Sequence, residues 1–251
     1  MNLNGKHALV TGGGTGIGLA IAQSLAAQGA EVTITGRRKS VLDAVATTGL
    51  HPLEMDVTDE GQTRDAIAAA VAARGPIQIV VANAGIAEGK TLQKTDLEFW
   101  QKIMRTNLDG AFLTIRESMR SMLETDWGRV VVVSSMAGLR GLKGAGAYSA
   151  SKHGVIGLIR SYSEEYIGGN ITFNALCPGY VETDIVRKQS VSIAERSGIT
   201  PEQARQYMAD GNRHKRLIQV EEVAAAALWL CDPLSGSVNG QCIEMAGGQL
   251  S

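Results

Sequence analysis

Short strand-like runs alternating with helical patterns constrain this chain more than any other feature. β-Branched and apolar stretches recur at 7–10, 31–35, 50–55, 77–82, 129–133, 171–176 and 241–245, with helical patterns between them. Strands that reach their neighbours through helices lie parallel, and the helices cover both faces of the sheet. Six or seven such units follow one another without internal repeat, low-complexity tract or linker, so the 251 residues read as one α/β domain, 1–251.

The first unit carries the clearest ligand signal. His7-Ala8-Leu9-Val10 leads into Thr11-Gly12-Gly13-Gly14-Thr15-Gly16-Ile17-Gly18 and then a helical pattern from Leu19. A glycine turn between strand and helix presents free N–H groups and the helix dipole to an anion, and glycine removes the Cβ that would block a pyrophosphate. Its TGxxxGxG spacing departs from the GxGxxG dinucleotide fingerprint. After the second strand, where an acid would bind a ribose hydroxyl, the chain has Gly36-Arg37-Arg38-Lys39. Arginine there accommodates a 2′-phosphate, so NADP(H) is expected to be preferred and NAD(H) to remain usable; the alternative is a solvated basic turn opening the next helix. Asp43, the nearest carboxylate, falls inside that helix and is expected to face away. Asp56 ends the third strand, where it reaches an adenine amino group or starts a helix. Asn83-Ala84-Gly85 closes the fourth as a close approach to ligand or as an ordinary turn.

Tyr148 and Lys152 stand four apart and share one face of a helix. An ammonium beside a phenol stabilises the phenolate and lowers its pKa toward the range of general acid–base catalysis. A packed Tyr and a snorkelling Lys are the plainer alternative. Thirteen residues upstream, the run 129–133 ends in Ser134-Ser135 at the carboxyl edge of a buried strand, where open sheets bind ligands and where Ser also caps turns. Apolar residues at Leu97, Trp100, Met104, Leu108, Ala111, Ile115 and Met119 predict a long helix over 96–122, opened by a capping box from Thr95 to Glu98. Asn107, in its middle, faces solvent or makes a specific internal bond.

Cys177-Pro178-Gly179 breaks the chain at the end of the sixth strand, and no strand appears from Tyr180 to Gln219. Thr200-Pro201-Glu202-Gln203 has the cap, proline and glutamine of a helix start, and an insertion of this size at the ligand edge predicts a helical lid over about 180–219. The helix from Glu221 to Leu230 is apolar nearly all round, which predicts cover on two sides and an interface.

A net charge of −1 gives no electrostatic footprint for nucleic acid or an anionic membrane, and no apolar run reaches membrane-spanning length. With no leader before the first strand, a soluble, cytoplasmic protein is expected. Three cysteines (Cys177, Cys231, Cys242) and four histidines (His7, His51, His153, His214) show no metal-ligand spacing, so no catalytic metal is expected.

In its joint order, Thr11 to Gly18, Asn83-Ala84-Gly85, Asn107, Ser135, Tyr148-x-x-x-Lys152 and Pro178-Gly179 with Thr183, the chain resembles the classical short-chain dehydrogenase/reductase family over essentially its whole length. The resemblance implies a Rossmann-type doubly wound parallel sheet and hydride exchange between a nicotinamide coenzyme and a ketone or secondary alcohol. It implies Tyr148 as general acid/base, Lys152 on the nicotinamide ribose and depressing the Tyr148 pKa, Ser135 orienting the substrate oxygen, and Asn107 holding a relay water. Coenzyme contacts are implied at Gly12, Thr15, Gly16, Ile17, Gly18, Asp56, Val57, Asn83, Ala84, Gly85, Pro178, Gly179, Val181 and Thr183, beside Arg37 and Arg38. The segment Lys215 to Gln219 and the ending Ala246-Gly247-Gly248 look like members reducing 3-oxoacyl thioesters; the Arg213 to Arg216 cluster then meets the carrier phosphates or is a solvated basic surface. A small or cyclic alcohol is the alternative substrate, a dinucleotide-binding regulator without turnover the alternative class. The resemblance also implies a homotetramer, with helices 96–122 and 147–166 in a second interface.

Overall fold

The computed structural model describes residues 1–248, so the last three residues of the expected domain lie outside the described residues. Seven strands form one parallel sheet: β1 (His7–Thr11), β2 (Glu31–Gly36), β3 (Leu50–Glu54), β4 (Ile77–Ala82), β5 (Gly128–Val133), β6 (Ile171–Pro178) and β7 (Cys242–Met245). Their spatial order is β3-β2-β1-β4-β5-β6-β7, the doubly wound, Rossmann-type arrangement. The chain reverses its direction of travel between β1 and β4. That leaves a crevice at the carboxyl ends of these two strands, where such sheets bind ligands.

The period-two alternation of strand side chains sorts the apolar runs onto two faces. Ala8, Val10, Ile79, Val81, Val131 and Val133 pack under α1 (Gly16–Ala27) and α9 (Val220–Cys231). Leu9, Val80, Ala82, Val130 and Val132 pack under α3 (Glu60–Arg74), α5 (Gly110–Met122) and α6 (Gly146–Glu165). Burial on both faces is why these strands read as continuous apolar runs, each Val or Ile stabilising by roughly 1.5–3 kcal/mol.

Three local expectations are corrected. The helix expected over 96–122 is α4 (Leu97–Met104), a π turn at Arg105–Asp109, and α5. Asn107 sits in that turn, 1% exposed, its side chain bonded to other segments, and Gly110 lies so close to Val57 that a Cβ would stand 2.7 Å from Val57 Cγ2. The N-cap of α4 is Asp96, not Thr95: its carboxylate accepts from Phe99 N at 2.7 Å, whereas Thr95 Oγ1 donates to Thr91 O. The sixth strand runs through Cys177 and Pro178, because its pairing with β5 ends at Leu176 and the missing proline N–H breaks no bond on that side.

The segment after β6 holds α7 (Asp184–Ser197) and α8 (Pro201–Asp210), the latter opened by the full Thr200/Gln203 capping box. Val186, Met208, Ala209 and Leu217 give these helices a small core of their own. A parallel bridge between Val181 and Ile218 ties the base of the segment together. The outer side of α9 leaves Trp229 48% exposed and Leu234, just beyond it, 96% exposed. No described helix is long and apolar enough to cross a membrane.

Candidate active site

The glycine turn occupies the crevice at the end of β1. Thr11 Oγ1 accepts from Asn83 N and Ala84 N, both at 3.0 Å, and Asn83 Nδ2 donates to Thr11 O at 2.9 Å and to Gly12 O at 3.3 Å. Asn83 thus spends its amide on holding the turn's shape. Gly12 and Gly16 have φ of +64° and +54°, and a Cβ on Gly18 would stand 2.4 Å from both Asn83 Nδ2 and Gly12 O. These positions admit only glycine. Thr15, the N-cap of α1, makes no side-chain cap bond and no acid occupies the helix's first turn, so unpaired N–H groups face the crevice.

From this turn a cleft of about 210 Å³ runs past Arg37 and Arg38 to Asp56, Val57, Ala84 and Gly85. Asp56 Oδ1 accepts from Thr58 N and Oγ1, both at 2.9 Å, which fixes the carboxylate at the rim. Asp43 is held by Lys39 at 2.8 Å, away from the ribose position. Thr183 caps α7 and overhangs the glycine turn: a Cβ on Gly16 would stand 3.3 Å from Thr183 Cγ2. Gly179 N donates to Met245 O at 2.9 Å and Val181 bridges Ile218, so both work as main-chain anchors; Ile17 packs against the core beneath.

At the other end of the crevice the strand order brings β5 and α6 together. Ser135 caps the short turn after β5, its hydroxyl accepting from Ala137 N at 3.1 Å while lying within hydrogen-bonding reach of the Tyr148 phenol. Burial pushes the phenol up, and the Ser135 hydroxyl pulls it part of the way back. Lys152 Nζ donates to Val133 O at 2.8 Å and lies 5.9 Å from the Tyr148 ring centre. The expected depression of Tyr148 by Lys152 is therefore not what this geometry gives: the ammonium is anchored on the last carbonyl of β5, and burial of the phenol dominates. Ser134 Oγ donates to Lys152 O at 3.2 Å, locking α6 onto that strand end.

Burial lowers Lys152 from 10.5 to about 8. A folded pKa below the unfolded one means that the unfolded chain binds more protons between these values, so stability rises with pH from about 8 to 10.5. The full span corresponds to about 3 kcal/mol at 1.36 kcal/mol per unit. In urea unfolding of the coenzyme-free protein, the stability of wild type relative to Lys152→Met should therefore climb across this window. A flat difference would show that the ammonium is not buried.

Asn107 resolves into an internal pin. Its Oδ1 accepts from Ile86 N at 2.8 Å, and its Nδ2 donates to Ile86 O at 3.0 Å and Ser151 Oγ at 3.1 Å. It thereby joins the loop after β4 to α6, leaving no side-chain donor for a water. Gly85 permits the approach, for a Cβ there would lie 3.1 Å from Asn107 Oδ1 and 3.6 Å from Lys152 Nζ. Sequence reading missed Thr11, Ser134 and Ser151 as positioning groups, and Tyr180, which lies close enough to raise the Tyr148 pKa. Tyr180 was detectable only as the residue after the Pro178-Gly179 break. The Arg213 to Arg216 cluster is engaged within the fold: Arg216 forms a two-pronged pair with Glu222 at 2.6 and 2.9 Å, and Lys215 Nζ donates to Asp210 O at 2.8 Å.

Known proteins resemble this chain along most of its length. The D-beta-hydroxybutyrate dehydrogenase of Rhizobium meliloti (strain 1021) is 35% identical, over 97% of this chain and 98% of its own. The 3-oxoacyl-acyl-carrier-protein reductase FabG of Aquifex aeolicus (strain VF5) is 34% identical, over 99% of this chain and 98% of its own. Among solved structures, a variant actinorhodin polyketide ketoreductase with NADPH superposes with a TM-score of 0.93 at 31% identity, covering 97% of this chain and 96% of that one. A sequence model described as short chain dehydrogenase matches residues 6–194. The chain belongs to the short chain dehydrogenase family, as an oxidoreductase interconverting a ketone and an alcohol.

Proposed function

We propose that the protein is an NADP(H)-preferring reductase of a 3-oxoacyl compound, with Tyr148 as its proton donor. The convergence of Ser135, Tyr148 and Lys152 at the end of β5 carries this reading. Two relatives point to the substrate class, since a β-hydroxybutyrate and a 3-oxoacyl group both bear the reacting oxygen on the third carbon. Whether the acyl group is thioester-linked, as one name says, or free, as the other says, separates two forms of one reading.

The residues fit a nicotinamide dinucleotide. The uncapped N-terminus of α1 and the glycine turn hold the pyrophosphate, Arg37 and Arg38 the ribose phosphate, Asp56 and Val57 the adenine, and Lys152 and Thr183 the nicotinamide half. When bound, the coenzyme supplies the hydride. Ser135 and Tyr148 then donate hydrogen bonds to the ketone oxygen where negative charge develops, and Tyr148 passes its proton to it. Asn107 acts through position, fixing the Ile86 loop against α6. The helices α7 and α8 serve as a lid, with Gln189 Nε2 donating to Ala87 O at 2.7 Å across the mouth.

NAD(P)H oxidation with a panel of a 3-oxoacyl thioester, a free 3-oxo acid and a cyclic ketone, each with both coenzymes, tests this. Turnover highest with the cyclic ketone would move the substrate to the alternative class, and no turnover with any would leave a dinucleotide-binding regulator. Exposed Trp229 on the outer side of α9 and Leu234 just beyond that helix, with Leu97 and Trp100 exposed on α4, support a homotetramer. Light scattering at micromolar concentration should give four chains of 26.5 kDa, and a monomer would overturn that assembly.

A further inference from the structure

The segment between β6 and α9 is joined to the body of the molecule at its base and at one point beyond it. At the base Glu182 N donates to Ile218 O at 2.8 Å and Ile218 N to Tyr180 O at 2.9 Å, so the segment leaves and rejoins the body side by side. Between these points α7 and α8 hold each other: Val186, Met208, Ala209 and Leu217 pack with Tyr180 and Ile193, all inside 180–217. Arg205 on α8 pairs with Glu182, and Arg187 with Asp184 at 2.6 Å. A unit with its own core and ion pairs, fixed along one edge, moves as a body about that edge. Among the described residues, the half-buried hydrogen bond from Gln189 Nε2 to Ala87 O, 2.7 Å long, is the one that ties α7 or α8 to the body beyond this base.

The accepting carbonyl is itself held in place. Ala87 follows Ile86, whose N–H and C=O both bond to Asn107, at 2.8 and 3.0 Å. Asn107 Nδ2 also donates to Ser151 Oγ at 3.1 Å, and Ser151 Oγ donates to Tyr148 O at 2.8 Å. The point on which α7 rests is thereby fixed relative to the helix that carries Tyr148 and Lys152. We propose that Gln189 is the latch of the lid, a positioning residue whose bond to Ala87 O holds α7 and α8 closed over the ketone in a set relation to Tyr148. The inference rests on the reading of this segment as a substrate lid and names what holds it shut. One neutral hydrogen bond biases such a motion and still breaks readily, since its loss shifts an equilibrium by about twofold to tenfold. A ligand held by the closed form binds in proportion to the closed fraction, so the latch acts on KM.

The test compares Gln189→Glu, which keeps the shape but sets a carboxylate against the carbonyl, with Gln189→Lys, which keeps a donor. Hydrogen–deuterium exchange reads the latch without turnover, because any opening of 184–210 that breaks the bond becomes easier once the bond is gone. Protection of these amides should fall about twofold to tenfold in Gln189→Glu and return in part in Gln189→Lys. With acetoacetyl-coenzyme A and NADPH, KM should rise within the same range in Gln189→Glu, with kcat not lowered, and recover in Gln189→Lys. Lower protection with KM unmoved would leave Gln189 as the fastener of the segment and sink its reading as a substrate lid. Unchanged protection in Gln189→Glu, or the same loss in the Glu and Lys variants, overturns the latch alone. Were acetoacetyl-coenzyme A not reduced by wild type, the thioester form of the substrate would fall, and the exchange comparison would still decide the latch.

Discussion

Tyr148→Phe should lower kcat for ketone reduction by about two to four orders of magnitude, the range that a positioned general acid contributes. The phenyl ring fills the same space, so the fold should survive, and coenzyme affinity measured by fluorescence titration should change little. The physical basis is the Tyr148 environment. Burial holds the phenol above its usual pKa, so near neutral pH it carries the proton that reduction consumes. Alcohol oxidation needs the phenolate instead. Its rate should rise with pH through the Tyr148 ionisation, while reduction falls over the same range. A Phe variant retaining near wild-type kcat would remove Tyr148 from the chemistry, and an oxidation rate that falls with rising pH would reverse its protonation role.

The second large effect concerns coenzyme choice. Arg37 and Arg38 border the cleft at the end of β2, both exposed and neither guanidinium hydrogen-bonded or ion-paired among the described residues. The one acid in the next helix, Asp43, is neutralised by Lys39. Asp184 on the facing α7 feels Arg38, but its carboxylate is held by Arg187 at 2.6 Å. The guanidiniums are therefore free to meet a 2′-phosphate, each charge-assisted bond contributing roughly 1.5–3 kcal/mol. Wild type should favour NADPH over NADH by about tenfold to a hundredfold in kcat/KM. Arg37→Ala or Arg38→Ala should lose activity selectively with NADPH and little with NADH. A wild type that prefers NADH overturns the assignment.

The sequence by itself determined the sheet, its helical cover and the strand edges at which the chemistry sits. Continuous β-branched runs such as 129–133 have no stable place except a strand buried on both faces, and strands joined by helices have to lie parallel. The four-residue spacing of Tyr148 and Lys152 likewise fixed one shared helix face before any folding was known. What the tertiary structure alone decided were contacts between segments distant in the chain, because no local pattern records which backbone group a side chain will reach. Asn107 could face solvent or inward until the loop after β4 supplied Ile86 and α6 supplied Ser151. The π turn that lets it point there breaks a stripe that looked like one unbroken helix. Lys152 was read as the group lowering the Tyr148 pKa, but β5 offers it the Val133 carbonyl nineteen positions away, and dehydration of both groups sets their ionisation.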